Sequence, residues 1–325
     1  MVDFNKIKID MVYTWVDNKD PKWLEKKLAY SSECKDNDAN NNCRYINNDE
    51  LKYSLRSLEK YANWINKIYI VTDNQVPEWL NTENERIKII DHADIIPQNC
   101  LPVFNSNAIE HCISNIPELS EYYLYGNDDT FFANNVSPSF FYHKDGYPYC
   151  RFSYKFDKDF DFYNRMCANT DDLIEKKFGK SLKMFSHHNI NAFRKSDVKN
   201  CIEMFKKEIN ETIKCRFRRI DNVEQTIYLN YALAIKHGHY RGICRLDMFL
   251  PFYKNKTYNY FAEKYQPDSL YLNPHDKQLF ELLKNNKKIG LFCINDEENI
   301  SNEERIFAKN FLQEMFPQKS SFENL

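Results

Sequence analysis

Three polar residues, Asn127, Asp128 and Asp129, lie between two hydrophobic patches in the stretch LYGNDDTFF at residues 124–132. Adjacent carboxylates raise each other's pKa, because two like charges in one place are unfavourable. A divalent cation relieves that repulsion, and Mg²⁺ typically binds one or two carboxylates together with water and phosphate oxygens. The stretch therefore predicts a metal site beside a phosphorylated substrate, with an Asx turn or helix cap after a strand as the simpler alternative.

Other carboxylates follow apolar runs in the same way. Asp17 ends YTWVD, Asp73 ends YIVTD, and Asp296 ends FCIND directly after Asn295. In an open α/β sheet, ligands bind beyond the carboxyl ends of the strands, so this pattern gathers acids around one cleft. For Asp17 or Asp73 taken singly, a local turn or cap is the simpler explanation.

The elements that must position these residues alternate along the chain. Short apolar runs predict strands at residues 9–16, 67–72, 86–90, 122–126 and 288–294. Apolar residues at helical spacing predict a helix within 47–62, and residues 105–117 predict another, with Asn105 or Ser106 as its cap. Alternating strands and helices indicate an α/β fold with a largely parallel sheet.

The pattern changes to charged, helical segments between about residues 155 and 285. We therefore expect residues 1–150 to form an α/β core with the donor and metal sites. Residues 151–285 are expected to form a helical insertion that contributes acceptor- and phosphate-binding residues. Residues 286–325 then return to the core with the final metal-site strand and a C-terminal helix.

The overall composition, 42% hydrophobic and 28% charged, is typical of a soluble globular protein. The net charge of −2 argues against general electrostatic binding of nucleic acid. The start of the sequence lacks a signal-peptide pattern, and no run approaches the roughly 18 apolar residues of a spanning helix. We expect a cytoplasmic protein, peripheral at the inner membrane at most. The ten scattered cysteines lack zinc-site spacing and are expected to be reduced.

Ordered blocks of the chain resemble the Stealth family, which includes bacterial capsular polysaccharide phosphotransferases and the lysosomal-pathway N-acetylglucosamine-1-phosphotransferase. The first block is IDMVYTWVDNKDP, and the second contains RYINNDELKYSLRSLEKYA, IYIVTDNQVPEWL, LPVFNSNAIE and LSEYYLYGNDDTFF. A weaker third block begins near SHHNINAFRKSD and continues through RFRRIDNVEQTIYLNYALA, and FCIND matches the short fourth block. Several long matches in one order are far more specific than a lone NDD.

The resemblance implies a glycosyltransferase-A-like, Rossmann-like core that binds a nucleotide sugar. It also implies transfer of a sugar-1-phosphate from that donor, a UDP-hexose or UDP-HexNAc, to a hydroxyl of an oligo- or polysaccharide acceptor. UMP would then leave, and a phosphodiester would form in a capsular or other surface polysaccharide. Mg²⁺ or Mn²⁺ is the implied cofactor, and capsule-assembly proteins at the membrane are implied partners.

Together with the strand-end pattern, the resemblance implies a metal site. Asp128, Asp129 and Asp296 are its candidate ligands, with Asn127 and Asn295 in support.

Donor binding is assigned to the end of the first strand and the start of a later helix. Thr14, Trp15 and Asp17 are candidates for the nucleotide, although Trp15 also suits the core. Asn105 and Ser106 are candidates for phosphate oxygens at a helix N-terminus, although capping alone also explains them.

Catalytic roles fall on His188, Glu110 and Arg219, in addition to Asp129. His188, with His187 as the alternative, is the candidate general base, since imidazole titrates near neutral pH. Glu110 would orient or activate a reacting group, unless it is an exposed helix carboxylate.

The basic run KCRFRR supplies the phosphate-binding candidate, Arg219, because arginine binds phosphate through two parallel hydrogen bonds. Its neighbours Lys214, Arg216 and Arg218 share the alternative of a solvated loop. Arg44 and Arg56 are further candidates that equally suit pairing with local acids.

Two other functions are compatible with these residues. A glycosyltransferase of the same fold class would use the same acids and release UDP. A non-catalytic glycan-binding component would keep the scaffold, although candidate acids at all four strand ends favour a catalyst.

Overall fold

A computed structural model of the protein describes residues 2–34, 41–243 and 268–324. Within those ranges the strands are β1 (Ile9–Thr14), β2 (Ile68–Thr72), β3 (Ile87–Asp91), β4 (Tyr122–Asn127), β5 (Thr130–Phe132), β6 (Tyr149–Lys155), β7 (Met184–Ser186), β8 (Asn191–Arg194), β9 (His239–Gly242), β10 (Ser269–Leu272) and β11 (Leu291–Ile294). Each predicted strand is confirmed, with ends shifted by up to three residues.

The helices in the same ranges are α1 (Pro21–Ala29), α2 (Glu50–Tyr61), α3 (His92–Ile95), α4 (Ser106–Glu110), α5 (Pro138–Phe141), α6 (Phe162–Phe178), α7 (Lys195–Met204), α8 (Lys206–Ile213), α9 (Thr226–Ala234), α10 (Lys277–Asn285) and α11 (Asn302–Met315). The helix predicted within residues 47–62 is α2. The helix predicted at 105–117 is shorter, because α4 ends at Glu110 and only a single 3-10 turn, Ile113–Asn115, follows.

The central sheet has the strand order β3-β2-β1-β4-β8. Its first four strands are parallel, and β8 joins β4 antiparallel. The 3-2-1-4 order is that of a Rossmann-like nucleotide-binding half, whose ligands lie beyond the carboxyl ends of the strands. Thr14 and Asn127 are register partners at that edge. The predicted α/β, Rossmann-like fold class is confirmed.

Two smaller sheets extend this core. In the first, β5 pairs with β11 and β11 with β10; in the second, β6 lies between β7 and β9. The segment 151–285 contains the predicted helices α6 to α9, but it also contributes β8 to the central sheet and β10 beside β11. It is therefore interleaved with the core, and the boundaries at residues 150 and 285 stay a prediction.

Apolar side chains cover both faces of the central sheet, as a sheet buried between helical layers requires. On one face α2 buries Leu51, Leu55 and Leu58 completely. Burial of each such leucine stabilises the fold by about 1.5–3 kcal/mol. The helical spacing of these residues in the sequence thus corresponds to the face that fixes α2 against the sheet.

Neither a membrane-spanning helix nor a disulfide occurs in the described parts of the chain. Six of the nine cysteines described there are buried, at positions 100, 112, 150, 167, 201 and 293. Burial in apolar surroundings is the environment in which cysteine behaves as a small hydrophobic residue.

Candidate functional site

A cavity of about 900 Å³ opens at the carboxyl edge of the central sheet. Its volume falls in the usual range of about 300–1,000 Å³ for ligand sites. Strand ends contribute to its lining, through Thr14 as the last residue of β1, Asn127 as the last residue of β4 and Asn295 directly after β11. Asp73, Asp128, Asp129 and Asp296 line the same cavity, whereas Asp17 does not.

Asp128 and Asp129 occupy the two-residue turn that joins β4 to β5. Thr130 Oγ1 donates to Asn127 O at 2.6 Å, which closes the turn. Ile294 N donates to Asp129 O at 3.0 Å, so the end of β11 is fixed beside the turn. This pairing brings residues that are more than 160 positions apart in sequence to one wall of the cavity.

A third carboxylate, Glu50 at the start of α2, lies with this pair and was missed by the sequence analysis. Burial raises the pKa of Glu50 to about 7, and the charge of Asp129 adds to the shift. Burial, followed by the charges of Glu50 and Asp129, raises the pKa of Asp128 well above its usual range. Within the described residues, no lysine or arginine forms an ion pair with any of the three.

Asp129 offers an oxygen to the cavity. Its Oδ1 is buried and accepts no hydrogen bond from any described residue. Its Oδ2 accepts from Cys293 Sγ at 3.4 Å and lies 3.8 Å from His188 Nε2. A buried carboxylate oxygen without a donor is costly unless a ligand or an ion satisfies it.

The other predicted metal ligands are already engaged. Asp296 forms a double ion pair with Arg305, with N–O distances of 2.7 and 2.9 Å. Asn127 Oδ1 accepts from the Tyr125 hydroxyl at 2.9 Å, and Asn295 Nδ2 donates to Glu297 at 3.4 Å. These residues line the cavity, but only Asp129 retains a buried oxygen without a partner among them.

The carboxylates at this wall fit a hard divalent cation. Glu50, Asp128 and Asp129 supply oxygen ligands, which Mg²⁺ and Mn²⁺ prefer to nitrogen or sulfur. Burial, and then the charges of neighbouring carboxylates, raises the pKa values of Glu50 and Asp128, and a bound cation would favour the ionised form of both groups.

Arg218, and not the predicted Arg219, lines the cavity. Arg218 Nη2 donates to Ser106 Oγ, which holds the guanidinium at the cavity wall. Arg219 is exposed and pairs with Asp221 at 2.7 Å. The two adjacent side chains diverge, and the sequence contains no signal that distinguishes them.

The remaining basic candidates differ in whether they line the cavity. Arg44, in the 3-10 turn Asn42–Tyr45, lines the cavity, where burial and then the nearby Arg218 charge lower its pKa. Arg56 instead forms a double ion pair with Glu323 at 2.6–2.7 Å. Arg216 pairs with Glu33 at 3.0 Å and Lys214 with Glu211 at 2.7 Å, both outside the cavity lining.

Glu110 is buried in the cavity wall, which excludes the alternative of an exposed helix carboxylate. Its Oε1 lies 3.0 Å from the Tyr125 hydroxyl, whose single proton Glu110 shares with Asn127 Oδ1, and its Oε2 is buried without a hydrogen-bond partner among the described residues. Burial, and then the charge of Glu224, raises the pKa of Glu110 to about 8, while Arg218 opposes the shift. Glu224, also in the lining, was not singled out from the sequence.

Two of the three nucleotide candidates line the cavity. Thr14 does so while its Oγ1 donates to Asn127 Oδ1 at 3.4 Å, and Trp15 lines it although the side chain is largely buried. Asp17 lies in the loop beyond β1, where it accepts from Lys19 N at 2.9 Å and Asn47 Nδ2 at 3.0 Å. Asp17 therefore shapes the loop and does not face the cavity.

Asn105 has a positioning role that the sequence did not predict. Its Oδ1 caps α4 by accepting from Asn107 N, and its Nδ2 donates to Cys215 O at 3.1 Å and Asn222 Oδ1 at 2.8 Å. These bonds attach the loop that carries Arg218. Ser106 lines the cavity whereas Asn105 does not, and the phosphate-binding role expected for the two stays a prediction.

The two histidines differ in exposure. His187 is 2% exposed, and its Nδ1 lies 3.1 Å from Ser269 Oγ. The side chain of His188 is 40% exposed and its Nε2 approaches Asp129. Of the two, His188 is the one that a substrate hydroxyl can reach.

Comparison with known proteins identifies two family regions. Residues 8–33 match the model of Stealth protein conserved region 1, and residues 44–150 match that of Stealth protein conserved region 2. Asp128, Asp129, Glu50 and Glu110 all lie within the second region.

Curated relatives match over most of the chain. A capsular polysaccharide phosphotransferase of Haemophilus influenzae is 33% identical over 316 residues, which cover 94% of this chain and 82% of the relative. An exopolysaccharide phosphotransferase of Lactiplantibacillus plantarum is 41% identical over 172 residues, 53% of this chain and 50% of the relative. A capsular polysaccharide phosphotransferase of Neisseria meningitidis serogroup A is 30% identical, covering 97% and 57%. The chain spans about half the length of the last two relatives.

Solved structures give weaker similarities. A galactosyltransferase in complex with donor and acceptor sugar analogues has a TM-score of 0.46 and 9% identity, covering 96% of this chain and 97% of that one. A glycosyltransferase of Streptococcus pneumoniae has a TM-score of 0.40 and 12% identity, covering 98% and 65%. The family assignment rests on the sequence matches: with both conserved regions present and a relative matched over most of its length, the chain belongs to the Stealth family.

Proposed function

We propose that the protein transfers a sugar-1-phosphate from a UDP-sugar to a sugar hydroxyl of a surface polysaccharide, in a metal-dependent reaction that releases UMP. The observation that carries the proposal is the cavity wall of Glu50, Asp128 and Asp129, with which no lysine or arginine of the described residues forms an ion pair, in a cavity that Arg44 and Arg218 also line. The names of the relatives support the reaction class.

The reaction exchanges one P–O bond for another. An acceptor hydroxyl oxygen attacks the sugar-proximal phosphorus, the bridging P–O bond of the diphosphate breaks, and its electron pair leaves with UMP. The hydroxyl proton goes to a base, and the anomeric bond of the donor sugar survives. The protein therefore has to position two substrates and stabilise negative charge on the phosphoryl oxygens.

Asp128, Asp129 and Glu50 would hold the cation, Mg²⁺ or Mn²⁺. When bound there, such an ion neutralises charge on the diphosphate oxygens. Asp296, which Arg305 already neutralises, would contribute to the wall of this site without ligating the ion directly.

His188 is the proposed base. Its side chain is 40% exposed and lines the cavity, and its Nε2 lies 3.8 Å from Asp129 Oδ2, so the imidazole is placed where it could accept a proton from a substrate hydroxyl. Glu110, neutral below a pKa of about 8, would donate a hydrogen bond to a substrate oxygen from its otherwise unpartnered carboxyl group.

Arg218 and Arg44 are the proposed phosphate-binding residues. Arg218 has planar N–H donors in the cavity, and the bond to Ser106 Oγ restricts its orientation. Thr14 and Trp15, at the end of β1, would contact the nucleotide at the edge of the sheet where such ligands bind.

The aromatic residues Tyr154, Phe160 and Phe185 also line the cavity and suit the acceptor glycan. Tyr154 and Phe185 pack with ring centroids 5.0 Å apart, and Phe160 is 78% exposed. An exposed ring of this kind offers an apolar face to a sugar ring. We place this chemistry in the cytoplasm, with peripheral attachment to capsule-assembly proteins at the inner membrane, which cell fractionation would test.

The test is the identity of the released nucleotide. The purified protein is incubated with Mg²⁺, a panel of UDP-sugars and a capsule oligosaccharide primer, and nucleotides and glycan products are analysed by mass spectrometry. UMP together with a sugar phosphodiester in the product supports the proposal. Release of UDP would overturn it in favour of glycosyl transfer.

A second arm separates catalysis from binding. The Asp129→Ala variant should remain folded and lose turnover. If the wild-type protein binds the oligosaccharide, releases no nucleotide from any donor, and Asp129→Ala binds equally well, the protein is a glycan-binding component and the proposal is wrong.

A further inference from the structure

A second cluster of metal-binding side chains lies outside the cavity. His143 and Asp145 belong to the turn that follows α5, and His239 begins β9. None of the three lines the cavity. One ligand atom from each residue lies within 4.8 Å of those of the other two.

The three ligand atoms converge on one carboxylate oxygen. His143 Nδ1 lies 2.9 Å and His239 Nε2 2.8 Å from Asp145 Oδ2. The imidazole centroids are 4.1 Å apart. Asp145 Oδ1 is held separately, since it accepts from Tyr147 N at 3.1 Å. Oδ2 is thus the oxygen that both histidines share.

The backbone fixes all three residues before any ion is added. Gly146 N donates to His143 O at 2.8 Å, and His143 N donates to Tyr147 O at 2.9 Å, which closes the turn. Gly146 has φ +91°, a conformation that favours glycine. His239 is the register partner of Tyr149 in the parallel pairing of β6 with β9. A ligand would therefore meet a largely preformed site.

His143 Nδ1 is incompletely satisfied. The atom is buried and makes no well-aligned hydrogen bond to a described residue, despite its short distance to Asp145. A ring nitrogen that lies close to a carboxylate oxygen and to a second ring nitrogen, without a good hydrogen bond, is arranged as a metal ligand would be.

We propose that His143, Asp145 and His239 bind a divalent transition metal of the zinc class. Two imidazole nitrogens and one carboxylate oxygen are a donor set that Zn²⁺ accepts, with water in the fourth position. Zinc bonds of about 2.0–2.2 Å in tetrahedral geometry place ligand atoms about 3.3 Å apart. The present distances of 2.8 and 2.9 Å need to open by only about half an ångström.

The ion would add a link between parts of the chain that already touch, since Tyr147 stacks on His237 and His239 N donates to Pro148 O at 2.9 Å. It would connect the turn at residues 143–147 to β9 and, through β9, to β6. The far end of β6, at Ser153 and Lys155, lines the cavity. Metal binding is therefore expected to stabilise this edge of the protein without taking part in phosphoryl transfer.

The experiment measures zinc binding directly. Protein stripped with a chelator is titrated with Zn²⁺ by calorimetry, and with Co²⁺ by visible absorption, which reports tetrahedral coordination. All measurements use the Asp129→Asn background as well as wild type, because Asp129, His188 and Cys293 form another group of ligand atoms within 4.8 Å. We expect one Zn²⁺ per chain with micromolar or tighter affinity in both backgrounds.

Two variants test the ligands, and one serves as a control. His239→Ala and the isosteric Asp145→Asn should each weaken Zn²⁺ binding by about 100-fold or more, beyond the 10- to 100-fold typical of residues that only orient a ligand. His275→Ala removes an exposed histidine that pairs with Glu304 and should leave binding unchanged. Circular dichroism of each metal-free variant checks folding.

Three results would overturn the proposal. These are no binding below about 100 µM, binding that survives both substitutions, and binding that disappears in the Asp129→Asn background. The last result would place the zinc in the cavity instead.

Discussion

Acidic residues at the two ends of the central sheet differ in how their charge is satisfied. Asp10, near the start of β1, is completely buried, and its carboxylate accepts from Asn66 Nδ2 at 2.7 Å, Lys67 N at 3.1 Å and Ser120 N at 2.8 Å. Beyond the ends of β1 and β4, burial and the charges of Glu50 and Asp129 act on Asp128, and the buried Oδ1 of Asp129 accepts no hydrogen bond from a described residue. The carboxylate at the first end therefore has its hydrogen-bond donors without a ligand, whereas a carboxylate oxygen at the second end does not.

The acids of the cavity differ in the same way from the buried ion pairs elsewhere in the protein, which we call the framework. Glu323 is buried against Arg56, and Asp268 is paired with both Arg151 at 3.3 Å and Arg241 at 2.9 Å. Each of these acids pairs with arginine from another segment of the chain, so its charge is neutralised. In the cavity, burial and then neighbouring carboxylates raise the pKa values of Glu50 and Asp128, which lowers stability in the absence of a ligand. Unmatched charge of this kind is typical of functional sites.

The largest expected effect on activity comes from replacing one aspartate with asparagine at one end of the central sheet and comparing it with the same replacement at the other end. Asp129→Asn should lower kcat for nucleotide release by about 10³-fold or more, because the substitution removes charge that acts on the reacting phosphate. Asp10→Asn is the matched control. It should lower the melting temperature, since one of its atoms changes from acceptor to donor among N–H groups, while kcat of the folded fraction stays within about twofold. If both variants lost turnover and unfolded to the same extent, the conclusion that the two ends of the sheet differ in function would be wrong.

Breaking a framework pair should affect stability alone. Arg56→Met leaves Glu323 buried without its cation and should destabilise the protein by about 3 kcal/mol in urea unfolding. Arg165→Met, which breaks an exposed pair with Asp159, should cost less than about 1 kcal/mol. If Arg56→Met abolished turnover in protein that remains folded, Arg56 would belong to the site and not to the framework.

The two neighbouring arginines provide a finer test. Arg218→Ala should lower kcat/KM by about 10²-fold, because a charge-assisted phosphate contact is lost in the cavity. Arg219→Ala should change it by less than about twofold, since that side chain pairs with Asp221 at the surface. Initial rates with saturating acceptor measure both. The reverse ranking would show that the loop reorganises when the donor binds.

The smallest effect concerns the pH dependence of stability. The pKa of Glu110 is raised to about 8, so the folded state holds a proton that the unfolded state loses near pH 4.5. Below about pH 4.5 the carboxyl group is protonated in both the folded and the unfolded state and does not change the free energy of unfolding. As the pH rises from there towards 8, only the unfolded state loses the proton, so the free energy of unfolding falls. Glu110→Gln cannot ionise and should be more stable than wild type by about 1–2 kcal/mol at pH 9, with little difference at pH 5.

Chemical unfolding at both pH values provides the measurement. Glu83→Gln, at an exposed position, is the control and should show no pH-dependent gain. An equal gain at pH 5 and pH 9 for Glu110→Gln would mean that Glu110 is ionised in the folded protein.

Individual residues show how far sequence reasoning reached. Strand ends, the turn at Asp128 and Asp129, and the buried face of α2 were all predictable, because they follow from local apolar runs and helical spacing. Glu50 was not, because a glutamate at the start of a helix is ordinary and its approach to Asp129 depends on how α2 packs against β5. Ser54 Oγ, which donates to Thr130 O at 2.6 Å, fixes that packing.

The family, the α/β class and the edge of the sheet at which acids gather all follow from the sequence alone, because each depends on short-range patterns or on ordered motifs. Which charges stay unmatched depends on how the chain packs in three dimensions. Arg305 neutralises Asp296, Asn47 and Gln75 engage the Asp17 loop, and Arg218 faces the cavity where Arg219 does not. Those outcomes depend on partners between 2 and 112 positions away, and a charge becomes available for chemistry only when the packed fold leaves it without one.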